Sequence, residues 1–153
     1  MIRFETRQTI ARSAQDVWTY AADILRQPEW MAVTDARVLH GQGTQAGARG
    51  RERLRFGPFQ WDVEFEVAEA KPGRRIVWRA VDGAPFELEA ALDLEPVGPS
   101  STRATYRAAI HLRGLWRLIT PLVAMEARAG QARELQRLKE QVEVAPAMAP
   151  ATS

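Results

Sequence analysis

The sequence predicts one α+β domain, a curved antiparallel seven-stranded sheet around one long C-terminal helix, with two short helices after the first strand. Three observations predict it. Apolar and charged residues alternate along several segments between residues 49 and 112, the period of a half-buried strand. Turn signals such as Gly57-Pro58 and Pro72-Gly73 separate these segments, and folding the chain about them brings opposite charges face to face. The segment Thr120–Val144 then changes to helical spacing.

The first strand reads from the alternation of Ile2, Phe4, Thr6, Gln8 and Ile10 with Arg3, Glu5, Arg7 and Thr9. Ser13 is a helix cap with Asp16 in the first turn, where a negative charge favours the helix dipole. Val17, Tyr20, Ala21 and Ile24 form the inner face of this helix, and a second short helix over Arg26–Met31 carries Trp30. Thr34–His40 reads as a strand, and the Gly-rich stretch Gly41–Gly50 as a mobile rim.

Folding about Gly57-Pro58 sets Leu54 against Trp61, Phe56 against Phe59, Arg53 against Asp62, Arg51 against Glu64 and Arg49 against Glu66. A slip of one residue would invert every side chain, so agreement of both faces fixes the register. The turn at Pro72-Gly73 sets Val67 against Trp78, Phe65 against Ala80 and Glu66 against Arg79. A loop at Asp82–Ala84 pairs Trp78 with Leu88 and Arg79 with Glu87. Strand Phe86–Leu94 and a polar loop, Glu95–Thr102, lead to a last strand with Tyr106, Ala108, Ile110 and Leu112 inward and Arg107 and His111 outward.

In the long helix, Thr120 is a candidate N-cap and Pro121 suits the first helical position. Val123, Ala127, Leu135, Leu138 and Val142 form one apolar stripe. The middle is small, with Ala127, Ala129, Gly130 and Ala132, so either the backbone approaches the sheet closely or space is left between them.

Composition narrows the chemistry. With 153 residues the chain can build one real core. It has no cysteine, which excludes disulfides, thiolate metal sites and a cysteine nucleophile. Met1–Thr9 is charged and alternating, unlike a signal peptide, and no apolar run spans a bilayer, so the expected location is cytoplasmic, with no integral membrane segment. The net charge is only +2, and the outward arginines face acids, which argues for a salt-bridged surface and against nucleic acid as a partner. The two histidines, His40 and His111, lie on separate strands and make no metal site; His111 is placed near Glu87 on the surface. No nucleophile elbow is visible.

Several motifs carry a resemblance to a known family: Ser13-Ala14-Gln15-Asp16-Val17-Trp18, the Pro28-Glu29-Trp30 turn, the Gly41–Gly50 loop and Leu135-Gln136-Arg137-Leu138-Lys139. Together with the element order they resemble the helix-grip fold of the START-like (SRPBCC) superfamily, most closely its polyketide cyclase/dehydrase and lipid-transport branch, over residues 1–143. The resemblance implies a ligand cavity between sheet and helix. Its wall is expected to include Trp30; Glu52, Leu54 and Phe56; Trp61, Val63 and Phe65; Trp78; and Leu88. Tyr106 and Ile110, Trp116, and Val123 and Ala127 complete it, with Tyr106 orienting a polar group of the ligand.

Members of this superfamily include carriers, lipid-transfer proteins, coenzyme-Q-binding proteins, chaperone activators and cyclases, so fold analogy alone does not select a function. The first reading is binding, with or without transport, of a small hydrophobic molecule such as a lipid, isoprenoid or polyketide-like aromatic, by a monomer or homodimer without cofactor or metal. The second is a cyclase/dehydrase in which Tyr106 or Glu52 transfers protons. The third is a protein-interaction module with a closed core. Glu52 is the anomaly: it shares a face with Leu54 and Phe56, so it either reaches the rim and a basic partner or lies in the cavity.

Residues 145–153 have no periodicity and read as a disordered tail after a domain of residues 1–144. Truncation after Val144 is expected to leave the melting temperature nearly unchanged; a fall of many degrees would show that the tail is docked.

Overall fold

The computed structural model describes residues 1–144; the expected tail lies outside the described residues. Strands Ile2–Ile10 (β1), Val33–His40 (β2), Arg49–Phe56 (β3), Phe59–Lys71 (β4), Arg75–Asp82 (β5), Phe86–Gly98 (β6) and Ser101–Leu112 (β7) form one antiparallel sheet in the order β1-β7-β6-β5-β4-β3-β2. Helix α1 (Ala14–Ala22) follows β1, and helix α2 (Thr120–Val144) ends the described chain.

The first two hairpin registers are those that charge matching implies. Leu54 faces Trp61, Arg53 faces Asp62, Phe65 faces Ala80 and Val67 faces Trp78. Arg53 bonds Asp62 at 3.1 Å, and Arg107 bridges Glu5 at 2.7 Å and Asp93 at 2.6 Å, so the outer face is laced with ion pairs. Most are exposed and contribute little each, about 0–1 kcal/mol.

The third hairpin differs from expectation. Trp78 pairs with Ala90 and Arg79 with Glu89, two residues along from Leu88 and Glu87. The loop is Gly83–Pro85, one residue later, because Gly83 supplies the positive φ of 87°. A two-residue shift keeps every side chain on its expected face. Glu87 lies opposite His111, as expected, but its carboxylate pairs with Arg113.

The polar stretch Glu95–Thr102 is mostly strand, not loop: Glu95 pairs with Arg103 and Pro96 with Thr102. Pro96 fits because β5 pairs with β6 only as far as Arg75 and Asp93, leaving the far edge of β6 without a ladder to feed.

Ser13 caps α1 as expected, its hydroxyl accepting from Asp16 N–H. The second short helix is a 3₁₀ helix, Ile24–Glu29, capped by Asp23, with Trp30 just past its end. A further 3₁₀ helix, Gly114–Ile119, runs straight into α2, so Thr120 is already helical and does not cap; its hydroxyl donates to the Arg117 carbonyl.

The loop before β3 is anchored and forms no free rim. Gly47 N–H donates to the Val67 carbonyl, and Val67 N–H donates to the Ala48 carbonyl, both at 2.8 Å. Gly43 lies so close to α1 that a Cβ there would sit 2.0 Å from the Ala22 carbonyl oxygen.

Helix α2 meets the sheet unevenly. Its C-terminal half buries Leu135, Leu138 and Val142, and is tied to the end of β1 by Gln8–Gln136 and by Lys139 to the Thr9 carbonyl. Its N-terminal half buries only Val123 and Gln131. Two apolar clusters result. One surrounds Trp30, Leu92, Leu135 and Leu138, and the other surrounds Phe86, Leu112 and Val123 with Trp61 and Trp116.

Gly43→Ala should destabilise the fold by about 1–3 kcal/mol in urea denaturation, because backbone must move to admit the methyl group. Gly98→Ala, whose Cβ would meet only the Ser101 side chain at 3.7 Å, is the control expected to be near neutral.

Candidate functional site

Between the two clusters lies a cavity of about 250 Å³. That is near the lower end of the volumes of small-molecule sites, room for a small ligand. The sheet supplies the concave wall. Inward positions alternate along each strand, so Glu52, Leu54 and Phe56 of β3 stand beside Trp61, Val63 and Phe65 of β4. Trp78, Leu88, Tyr106 and Ile110 continue the wall through β5, β6 and β7. Trp116, Val123 and Ala127 close it from the helical side. At Gly130 of α2 an added Cβ would meet only the Arg133 guanidinium, at 3.8 Å, so the small residues there leave open space.

Trp30 does not reach the cavity. It is fully buried behind it, edge-on to Tyr106 at 5.8 Å and tilted against Trp78 at 6.1 Å. As the residue just past the 3₁₀ helix it packs beneath the wall. His40 is exposed at the end of β2 and is not on the wall.

The cavity has two chemically different ends. Near the Gly114–Ile119 helix it is aromatic: Trp61 meets Phe86, Trp116 and Phe59 at 5.4–5.9 Å, and Trp116 meets Phe59 at 5.1 Å. Arg55, Gly57, Glu126 and Arg133, all on exposed stretches, frame the mouth, with Arg133 paired to Glu126 at 3.1 Å.

The inner end is polar. Tyr106 donates its hydroxyl to Glu134 Oε2 at 3.1 Å, and Ala32 N–H donates to Glu134 Oε1 at 3.3 Å. With the Gln27 amide oriented by its partners, its nitrogen donates to Glu52 Oε1 and its oxygen accepts from Trp78 Nε1 at 3.2 Å. Gln27 is fully buried, at a 3₁₀ position with no sequence signal. Gln131 also lines the cavity, and its Nε2 has no partner among the described residues.

Burial dominates the electrostatics of this end. It pushes the Glu52 pKa up to about 8, and the nearby Glu134 charge pushes the same way. Burial raises Glu134 to about 7, opposed by the donors Ala32 N–H and Tyr106 hydroxyl and by the charges of Arg137 and Arg133. Burial and the two carboxylates hold the Tyr106 phenol well above its ordinary value. The carboxyls titrate as a pair. Glu134, with two donors aimed at it, gives up its proton before Glu52 does. Thus Glu52 lies in the cavity, bonded to Gln27 and not to a basic side chain.

Glu134 and Gln131 were not expected in the wall. The signal was present: Gln131 stands midway between Ala127 and Leu135, and Glu134 lies seven residues after Ala127, on the same helical face.

A family model described as polyketide cyclase / dehydrase and lipid transport matches residues 1–143. The chain belongs to this family. A search of the curated proteins finds no match. Among solved structures, the chain is similar to a START superfamily protein from Mycobacterium smegmatis, at 17% identity over 94% of this chain and 98% of that one, TM-score 0.81. It is also similar to the Zhui aromatase/cyclase from Streptomyces sp. R1128, at 13% identity over 92% and 93% of the two chains, TM-score 0.79. TTHA0849 from Thermus thermophilus matches at 19% identity over 92% and 96%, TM-score 0.78. At these identities the likeness establishes the helix-grip fold. Family and fold together make this a hydrophobic-ligand-binding or cyclase/dehydrase-type SRPBCC protein. Among the described residues no helix is long and apolar enough to cross a membrane.

The carboxyl pair makes stability depend on pH. Both groups have folded pKa values raised above the ordinary 4.5, so the folded chain holds more protons between about pH 4.5 and pH 8. Their contribution is complete below that window and is lost as pH rises through it. The unfolding free energy measured in urea should therefore fall from pH 5 to pH 8.5, by the order of a few kcal/mol, and Glu52→Gln should flatten much of the fall. A flat wild-type profile would mean that both carboxyls are solvated.

Proposed function

We propose that this protein binds a small, largely apolar molecule carrying one polar group. The apolar body fills the aromatic end of the cavity and the polar group faces Glu52, Glu134 and Tyr106. The observation that carries this reading is the cavity itself: apolar walls with a few convergent polar groups are the usual form of a ligand site. Binding would come mainly from apolar surface removed from water. Transport of such a molecule is compatible with the family description. The wall residues named above are the proposed contacts.

A second reading, a cyclase/dehydrase-type enzyme, is favoured by the same carboxyl pair. Glu52 holds a proton near neutrality while Glu134 is poised to accept one, the division of labour that acid–base catalysis needs. The structural likeness to an aromatase/cyclase fits this reading. The interaction-module reading required a closed core, and an open cavity speaks against it.

Native mass spectrometry of the purified protein should detect a retained small molecule. With ligand-free protein, 2-methyl-1,4-naphthoquinone should quench tryptophan emission, because Trp61, Trp78 and Trp116 all stand on the wall. Ala127→Leu should fill the space and weaken quinone binding at least tenfold while leaving the melting temperature within a few degrees. Unchanged affinity in that variant would place the ligand elsewhere.

A further inference from the structure

The segment from Gly114 to Met125 is apolar on both of its sides. The inner side supplies Trp116, Ile119 and Val123 to the cavity wall. The outer side carries Leu115, Leu118, Leu122 and Met125, which are 85%, 80%, 58% and 65% exposed. Leu115 and Leu118 stand one turn apart in the 3₁₀ helix, and Leu122 and Met125 stand about one turn apart at the start of α2, so the four follow one another along the outside. A surface helix ordinarily turns a polar side outward, and one that is apolar all round is ordinarily covered. Four large exposed apolar side chains within eleven residues therefore mark a docking face. The apolar surface continues onto the β3–β4 turn at Phe59, 40% exposed, whose ring meets Trp116 edge to face at 5.1 Å.

The charge around this face is of one sign. No Asp or Glu occurs from Arg113 to Met125. Arg113 is paired with Glu87, whereas Arg117 and Arg128 are exposed and make no ion pair among the described residues. Glu126, the first acid of α2, is neutralised by Arg133 at 3.1 Å. A second copy of this chain, docked about a two-fold axis, would bring the unpaired arginines of both copies into one acid-free interface. A different protein would find little to fix its orientation. Apart from Arg117, the only side-chain hydroxyl or amide from Gly114 to Met125 is that of Thr120, and it is spent on the Arg117 carbonyl. An anionic bilayer needs no such group: it takes leucine and methionine into its acyl boundary and sets arginine against lipid phosphate.

We propose that the outer face of the Gly114–Ile119 turn and the start of α2 docks on an anionic lipid bilayer. Leu115, Leu118, Leu122 and Met125 enter the boundary between head groups and acyl chains, and Arg117 and Arg128 lie against lipid phosphates. The segment lies in the interface and spans nothing. The cavity opens beside this face, with Glu126 and Arg133 of α2 at its mouth, so docking brings the mouth to the membrane surface. The inference goes beyond the ligand reading and does not depend on it, because the outer face is apolar whatever the cavity holds.

Flotation of the full chain with large unilamellar vesicles tests this. The protein should float with vesicles of mixed phosphatidylcholine and phosphatidylglycerol, bind pure phosphatidylcholine vesicles several-fold more weakly, and lose affinity as salt is raised. Leu118→Glu should weaken binding to the mixed vesicles at least tenfold while leaving the melting temperature within a few degrees, since the side chain is 80% exposed. Leu115→Glu serves in its place should that variant be unstable. Arg117→Glu should reduce the preference for the anionic vesicles. Val97→Glu, at an exposed apolar position beyond the other end of β7 from Gly114, should bind as the wild type does. Absence of binding to either vesicle overturns the proposal, and so does binding that survives both leucine substitutions. Equal binding to the two vesicles overturns the assignment of an anionic surface. A dimer in analytical ultracentrifugation that Leu118→Glu dissociates, with no vesicle binding by the wild type, overturns the proposal in favour of a second copy.

Discussion

Helix α2 is seated on the sheet along only half its length, and the rest of the architecture follows from that constraint. Leu135, Leu138 and Val142 anchor its C-terminal half against β1 and α1, where Lys139 and Gln136 add hydrogen bonds across the junction. The N-terminal half continues over the concave face of a sheet that curves away from it. Only Val123 and Gln131 are buried there, and residues as small as Ala127 and Gly130 cannot reach the opposing wall. Close packing elsewhere in the core therefore coexists with a cavity under this half of the helix.

A cavity bounded in this way has one end set by each half of the helix. Toward the 3₁₀ turn Gly114–Ile119, aromatic rings from three elements stack edge to face and make that end of the cavity apolar. Toward the anchored half, Glu134 is brought against Tyr106 and the Ala32 N–H, and Glu52 against Gln27. Low dielectric makes both carboxyls reluctant to ionise, and their different hydrogen bonds separate their roles. One group gives up its proton before the other, in a space sized for a small molecule. That asymmetry serves either recognition of a polar head or proton transfer.

The anchored loop before β3 is a second consequence of close packing. Gly50 sits beneath the ring of Phe65, where a Cβ would come within 2.5 Å of Cζ, so the strand passes under a wall residue only because it carries no side chain there. Gly43 plays the same part against α1. Glycines that a sequence reading assigns to mobility serve here to hold the rim of the wall in place.

What the sequence by itself determined is the local and the repetitive: which segments are strands, which faces point inward, and the registers of β3–β4 and β4–β5, because alternation and charge pairing act between neighbours along a ladder. It also marked most of the aromatic wall, since an inward ring on a strand is visible from its period alone. It misjudged the β5–β6 register by placing a loop one residue early, and the β6–β7 turn by reading Glu95–Thr102 as a polar loop, because the free edge that accommodates Pro96 is a property of the sheet. Only the tertiary structure decided the polar end of the cavity. Gln27 comes from a 3₁₀ turn, Glu52 from β3, Tyr106 from β7 and Glu134 from α2, four elements with no local signal linking them. Their meeting, the burial that shifts their protons, and the displacement of Trp30 from the wall into the core behind it depend on how far the helix stands off the sheet.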